Sequence, residues 1–477
     1  MIHRSATRAI KRERRMGLPT LVGRQPHVAY LPSTGHQVVL GTAGTGKTLM
    51  AIVRAMYLSN PQVSGSGKTL VVTFNNSLAS YLSHLAKGTS SQIDIRTYGR
   101  FARGYLASLG AMKNRNDITS PWRRRSLITM AKREVAAHYQ PDKFFSRDID
   151  WFQDEFAWIT GMGIRTKEEY LRAERLGRKT PLGPSWRGVV WEILEEYRKL
   201  RAAAGHMYDW PDIGMAVRDR LKADIRPRMY RHIIIDEGQD LAPEEIRSLV
   251  DAVDPDGSIT FFGDYAQQIY GQAMSWRACG LNVRHVEQFK DNYRNSTAIA
   301  NVAIALSSMP FFGKVDDLVA PVAPVSIGPQ PTLVECGSKE EEISVIQDAA
   351  KRLGSVGTVA VVARTWADVE RACRGLGAQK IKEEKHFWTD APGIYCTTYH
   401  SAKGLEFDAV LMPFCGASRM PLPDVVTAFG DSDAAERESK LLYVAITRAK
   451  SDLLITYSGE PTSLLPNAPE LFVKVKP

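Results

Sequence analysis

"HQVVLGTAGTGKTLMAIVRAMYL", His36 to Leu58, contains three textures in order. An apolar β-branched run comes first, then a glycine-rich turn, then apolar residues recurring at a helical period. A strand that ends in glycines and opens a helix gathers backbone N–H groups at the positive end of the helix dipole, and such a point holds phosphate. The turn "GTAGTGKT", Gly41 to Thr48, satisfies GxxxxGK[ST] in this strand–turn–helix setting. In that pattern Gly41, Gly44 and Gly46 let the backbone close on phosphate oxygens, Lys47 reaches the β and γ groups, and Thr48 offers a hydroxyl to Mg2+.

A phosphate turn of this kind calls for carboxylates nearby, and "HIIIDEGQDL", His232 to Leu241, supplies them. Its continuous apolar run reads as a central parallel strand, and ligands of open α/β sheets lie beyond the carboxyl ends of such strands. Asp236 is expected to hold Mg2+ and Glu237 to activate an attacking water. The other use for these acids is to cap the helix that "APEE" begins.

Outward from these two stretches, apolar runs alternate with helical periods: "TLVVTF", "IDIRTY", "SITFFGD", then "PTLVE", "TVAVVAR", "GIYCTTY" and "DAVLMP". That alternation predicts parallel sheets covered by helices. Strand signals stop between about residues 111 and 212, where "RRRSLITMAKREVAAHY" and "WRGVVWEILEEYRKLRAAAG" read as amphipathic helices. The expected organisation is a first α/β domain over 1–110 (with a basic arm, 1–20) and 213–285, a helical insertion over 111–212, and a second α/β domain over 286–477. A Pro/Gly-rich loop is expected from Pro310 to Pro331.

Composition narrows the function classes. The 477 residues are 44% hydrophobic and carry a net charge of +10, which suits a polyanionic partner. Five scattered cysteines without a CxxC pair argue against a disulfide framework or a thiolate metal cluster and favour a reducing, cytoplasmic setting. No apolar run approaches the ~20 residues that span a bilayer, so no membrane partner is expected.

The chain also contains "TLVVTFNNSLASYL", "IDIRTYGRFARGYL", "DEGQD", "FFGDYAQQIYG", "FKDNYRNSTAIAN", "TTYHSAKGLEFDAVL" and "ESKLLYVAITRAKSDLLIT". Their order resembles the motif series of UvrD/Rep-type superfamily 1 DNA helicases, over a span from about Gln25 to the C-terminus. The resemblance implies two RecA-like P-loop domains with ATP and Mg2+ between them and a helical insertion in the first. It also implies that Gln25, in "GRQPHVAY", contacts adenine and that Tyr293 stacks on it. Gln267 would sense the γ-phosphate, which Arg294 and Arg448 would reach from the second domain, where planar guanidinium groups match the charge spread over the transferring phosphoryl. Gly404 and Glu406 fall in the element that couples ATP to the strand. For nucleic acid the matching positions are Phe74, Asn75, Thr97, Tyr98, Tyr270 and His400, with Trp276 in place of a shifted aromatic. Two departures stand out: Gly238 and Gln272 occupy positions where the family usually has an aromatic.

The function so implied is an ATP-dependent 3′-to-5′ translocase and helicase acting on single-stranded DNA or DNA with a 3′ single-stranded tail, in repair or defence. The alternatives are an RNA- or RNA-polymerase-directed ATPase on the same core and an ATP switch that regulates a protein partner such as a nuclease. Larger relatives carry an extra domain between motifs four and five. Here only "AQKIKEEKHFWTDAPG", Ala378 to Gly393, remains once the strands are placed, so a short helicase core that relies on a partner for processive unwinding is expected. From the short stretch after motif six, no appended nuclease is expected.

Overall fold

The computed structural model describes residues 20–42, 44–73, 76–85, 91–175, 177–178, 180–264, 276–283, 286–289, 291–292, 294–312, 328–381 and 391–477. β1 (Gln37–Gly41), β2 (Thr69–Thr73), β3 (Ile93–Thr97), β4 (Tyr230–Ile235), β5 (Val253–Gly263) and β6 (Val286–Phe289) form a first sheet in the order β3-β2-β4-β5-β1-β6. β7 (Thr332–Cys336), β8 (Thr358–Ala363), β9 (Gln379–Lys380), β10 (Gly393–Thr398), β11 (Phe407–Met412), β12 (Ala449–Ser458) and β13 (Val473–Val475) form a second, ordered β13-β7-β12-β11-β8-β10-β9. The pairings in both are parallel. Two parallel sheets flanked by helices are the fold class that the strand–helix alternation predicts.

Continuous apolar strands are needed because both faces of each sheet are covered. Side chains alternate across a strand. Leu40, Val72, Ile233, Ile235 and Phe261 accordingly join a core with the helices Tyr98–Ser108, Ile213–Ala223 and Pro243–Ala252, while Val39, Val71, Ile234 and Phe262 meet the helices Lys47–Leu58 and Gln25–Ala29. The second sheet is likewise enclosed between two cores.

Between β3 and β4 the helices Pro121–Ala136, Ile149–Met162, Lys167–Arg172 and Pro184–Ala203 bury a core of their own, built around Trp151, Phe152, Phe156, Trp158, Tyr170, Trp191 and Tyr197. Glu155, fully buried at its centre, is held by Arg175, Arg178 and the Tyr170 hydroxyl. This cluster touches the second sheet's helices: Phe429 packs on it, and Arg437 Nη2 lies 2.7 Å from Asp154 Oδ2.

The first sheet extends past its expected limit at 285, because β6 pairs with β1. β12 also escapes the apolar-run reading, since "AKSDLLITYS" begins with polar residues. Of the expected Pro310–Pro331 loop, 313–327 lie outside the described residues, as do 382–390 of the Ala378–Gly393 stretch.

Candidate active site

Three adjacent strands of the first sheet end together. β1 runs into the glycine-rich turn, β4 into Asp236 and Glu237, and β5, which lies between them, into Asp264. The turn leaves no room for side chains at Gly44 and Gly46. Gly44 and Gly46 have φ of +81° and +80°, and a Cβ on them would stand 1.9 Å from Asn292 Oδ1 and 2.5 Å from Gln25 Nε2.

Lys47 opens the helix and folds back over the turn. Its Nζ donates to the carbonyl oxygens of Gly41 at 2.7 Å and Thr42 at 2.8 Å, and lies 3.6 Å from Asp264 Oδ2. Gln25 braces the same turn from beneath: Nε2 donates to Thr45 O at 2.9 Å, and Oε1 accepts from Val22 N at 2.9 Å. The amide expected at adenine is thus engaged with backbone at the phosphate turn.

Asp236 N donates to Val72 O at 2.8 Å, so the β4 ladder continues to the point where the acid emerges. Its carboxylate is fully buried and neither oxygen has a hydrogen-bond partner. Burial and the neighbouring Glu237 charge push its pKa up to about 7, while the Thr48 hydroxyl and Lys47 pull the other way. Glu237 is moved in the opposite direction. Burial would raise it, but Lys403, Lys47 and Arg448 hold it below the usual carboxylate range, and Gln239 Nε2 donates to it. Adjacent carboxyls pushed apart in this way are suited to different chemical roles. Glu237 also holds φ of +55°, a left-handed conformation that costs a non-glycine residue ~1–2 kcal/mol and that clusters at functional sites.

The second sheet contributes from the opposite side. Glu406 and Arg448 directly precede the neighbouring strands β11 and β12. Arg448 is almost fully buried: Nε donates to Val444 O at 2.9 Å, Nη1 to Leu405 O at 3.3 Å and Nη2 to Thr447 Oγ1 at 3.0 Å. Burial and Arg294 lower its pKa to about 10 against the attraction of Glu237, Glu406 and Asp264. Arg294 forms an ion pair with Glu406.

Further contacts join the two sides. Lys403 Nζ reaches Asp240 Oδ1 at 2.7 Å and Oδ2 at 2.6 Å. Gly404, at φ +78°, lies so near the helix Asn76–Leu85 that a Cβ would stand 2.8 Å from Leu78 Cδ2. Asn292, against Gly44, donates to Asn295 Oδ1 at 2.9 Å, and Asn295 Nδ2 donates in turn to Thr447 O at 3.1 Å, beside Arg448. Sequence reasoning passed over Asp264, Lys403, Asn292 and Asn295. Only Asp264 carried a readable signal, an acid ending the apolar run "SITFFGD" as Asp236 ends "HIIID".

The structure turns two of the expected nucleic-acid contacts, Tyr98 and Thr97, inward. Tyr98 is buried in the core of the first sheet with its hydroxyl 2.7 Å from Ser248 Oγ, and Thr97 caps the helix Tyr98–Ser108 by accepting from Arg100 N. An amphipathic helix packed on a sheet turns its apolar stripe inward, and Tyr98 lies on that stripe with Phe101, Ala102 and Leu106. Trp276 is half-buried and packs edge-on against Phe261, with ring centres 4.7 Å apart. That pair explains the glycine in "DEGQD": a Cβ on Gly238 would stand 2.2 Å from Phe261 Cε2, so the β5 aromatic occupies the space. His400 follows β10, and burial with Arg364 and Lys403 lowers its pKa to about 4, leaving a neutral imidazole. Phe74, Asn75, Gln267, Tyr270 and Tyr293 lie outside the described residues.

Comparison with known proteins identifies a family. The profile described as "UvrD/REP helicase N-terminal domain" matches residues 23–293, and that described as "UvrD-like helicase C-terminal domain" matches 375–460. A probable DNA helicase of Mycoplasma pneumoniae is 23% identical over 465 residues, covering 91% of this chain and 83% of the relative. The ATP-dependent DNA helicase UvrD2 of Mycobacterium tuberculosis is 22% identical over 560 residues, covering 91% and 78%. A local match of 38% identity over 91 residues, 18% of this chain and 12% of the relative, is to the ATP-dependent DNA helicase PcrA of Staphylococcus aureus. With the N-terminal profile spanning more than half of its length, the chain belongs to the UvrD/REP helicase family of enzymes.

Proposed function

We propose that the chain hydrolyses ATP in the cleft between the two sheets and converts each cycle into a 3′-to-5′ step along single-stranded DNA. The observation that carries this reading is the convergence of Lys47, Asp236, Glu237 and Asp264 from one sheet with Arg294 and Arg448 from the other. When a catalytic constellation is divided between two bodies, chemistry and relative motion are linked.

In this reading the phosphates lie against Gly41–Thr48, and Lys47 exchanges its two backbone carbonyls for phosphate oxygens. The Asp236 carboxylate, buried without a hydrogen-bond partner, and the Thr48 hydroxyl fit a hard cation, and Mg2+ held there would neutralise phosphate charge. Glu237, kept ionised by three cations, is placed to take the proton of the attacking water. Arg294 and Arg448 stabilise negative charge on the γ-phosphoryl group, and Glu406 keeps Arg294 in place until then. Gln267 and Tyr293 retain the γ-phosphate and base contacts that the family likeness implies. On the strand side, Phe74, Asn75 and Tyr270 supply contacts that are indifferent to sequence, and His400 contributes an uncharged ring. The 3′-to-5′ polarity is inferred from the family likeness. Between β8 and β10 the described residues add only the helix Trp366–Ala372 and the two-residue β9, which favours translocation with poor unwinding of long duplexes unless a protein partner assists.

ATP turnover with and without single-stranded DNA tests the reading, and turnover indifferent to DNA would overturn it. Glu237→Gln should slow hydrolysis ~10²–10⁴-fold while ATP still binds. Arg448→Ala should lower kcat on the order of 10³-fold with little change in ATP affinity, because its contact strengthens as charge develops. Loading on 3′-tailed but not 5′-tailed duplexes checks polarity.

A further inference from the structure

The chain just after Arg294 lies against the chain around Arg448. Ser296 N donates to Lys450 O at 2.8 Å, and Asn295 Nδ2 donates both to Thr447 O at 3.1 Å and to Ala449 O at 2.5 Å. Those two carbonyls belong to the residues on either side of Arg448. An amide oxygen in that place would face two carbonyl oxygens, so the surroundings fix the nitrogen end there. Arg448 donates its own N–H to Ala445 O at 3.2 Å, and its carbonyl accepts from Phe407 N at 3.0 Å. The Arg448 backbone is thus held on both sides as well as at its own N–H and C=O. Asn295, Thr447, Arg448 and Ala449 are almost fully buried, so water does not supply these contacts.

The grip extends to the phosphate turn. Asn295 Oδ1 accepts from Asn292 Nδ2 at 2.9 Å, while Asn292 Oδ1 accepts from Arg294 N at 2.9 Å and from Asn295 N at 3.1 Å. Asn292 in turn stands over Gly44, where a Cβ would lie 1.9 Å from its Oδ1 and 2.6 Å from its Cγ. The missing side chain at position 44 gives the amide its place. A path of two uncharged amides therefore joins the phosphate turn to the main chain that carries Arg448.

We propose that Asn295 is a positioning residue for Arg448 and that Asn292 sets it against the phosphate turn. The proposal rests on the reading of Arg448 as a γ-phosphoryl ligand and deepens it. A guanidinium stabilises developing charge only from the right place, and a displacement of ~1 Å can cost ~10²-fold in rate. The Arg448 side chain is tied to the nearby carbonyls of Val444 and Leu405, so a shift of its backbone disturbs the guanidinium too. Thr447 follows the last residue of the helix Asp431–Ile446, where carbonyls lack intrahelical donors. If Asn295 did no more than satisfy them, its loss would lower stability and leave the rate of the folded enzyme alone.

The test uses the full chain, single-turnover hydrolysis at saturating ATP and single-stranded DNA, and ATP affinity measured separately with a fluorescent analogue. Asn295→Ala should slow hydrolysis on the order of 10- to 100-fold with affinity unchanged. In an Arg448→Ala background the same substitution should change the rate by about twofold or less, because its effect passes through Arg448. Asn295→Ser keeps a donor of shorter reach and should recover part of the loss. Asn292→Ala leaves the Asn295 amide in place but frees it from the turn. It should give a smaller loss of the same kind, again absent without Arg448, and it carries the comparison if Asn295→Ala does not fold. An equal loss with and without Arg448 would overturn the proposal. So would a parallel fall in ATP affinity, or a normal rate in an Asn295→Ala protein that is only less stable. Wild-type hydrolysis indifferent to single-stranded DNA, with the losses still dependent on Arg448, would sink the translocase reading and leave this positioning role standing.

Discussion

Asp236 shows how the site is held at the expense of stability. A buried carboxylate without a hydrogen-bond partner is costly, and its pKa of about 7 lies above the unfolded value of 3.8. Between those values the folded protein binds a proton that the unfolded chain does not, so stability falls as pH rises from about 4 through 7. Asp236→Asn should therefore raise the urea midpoint above pH 7, lose that advantage below about pH 4, and abolish turnover. A variant equally stable to wild type across that range would show that the carboxylate is not strained. Gly238 is the second decisive residue. Gly238→Ala should cost ~1–3 kcal/mol in chemical denaturation through overlap with the Phe261 ring, and adding Phe261→Leu should recover part of it.

At the scale of elements, the turn after β10 reaches the first sheet through a buried ion pair. Lys403 and Asp240 are both buried, so Lys403→Met should destabilise by ~3–5 kcal/mol by leaving a buried carboxylate alone. Combining it with Asp240→Leu should restore most of the thermal stability without restoring DNA-stimulated turnover. Full recovery of turnover in the pair would mean that this contact has no part in coupling. The strands themselves were readable wherever both faces are covered, as in "TLVVT" and "HIII", because burial on two sides demands unbroken apolar runs. β12 was not, since it begins at the cleft, where "AKSD" keeps polar side chains.

Across the whole molecule, the helical cluster grips the helix that leads to Arg448. Arg437 of the helix Asp431–Ile446 meets Asp154 at 2.7 Å and lies 4.1 Å over the Phe429 ring, which packs on the cluster. Arg437→Ala and Asp154→Ala should each lower kcat more than ATP affinity, with a coupling of about 1 kcal/mol in a double-mutant cycle. Strict additivity would show that the cluster does not support the position of Arg448.

The sequence by itself determined the parallel α/β class, the phosphate turn and the paired acids, because each depends on a few neighbouring residues whose spacing is local chemistry. Lys47, Asp236 and Glu237 were legible for that reason. What only the tertiary structure decided is which distant residues meet and which side chains turn inward. Lys403 and Asp240 are 163 residues apart in the chain and Asn295 and Thr447 are 152 apart, and no local pattern encodes such pairings. The burial of Tyr98, the brace made by Gln25 and the exchange of an aromatic between Gly238 and Phe261 depend on what packs against them. A motif specifies residue types along the chain, whereas packing in three dimensions decides which of them are left to face a ligand.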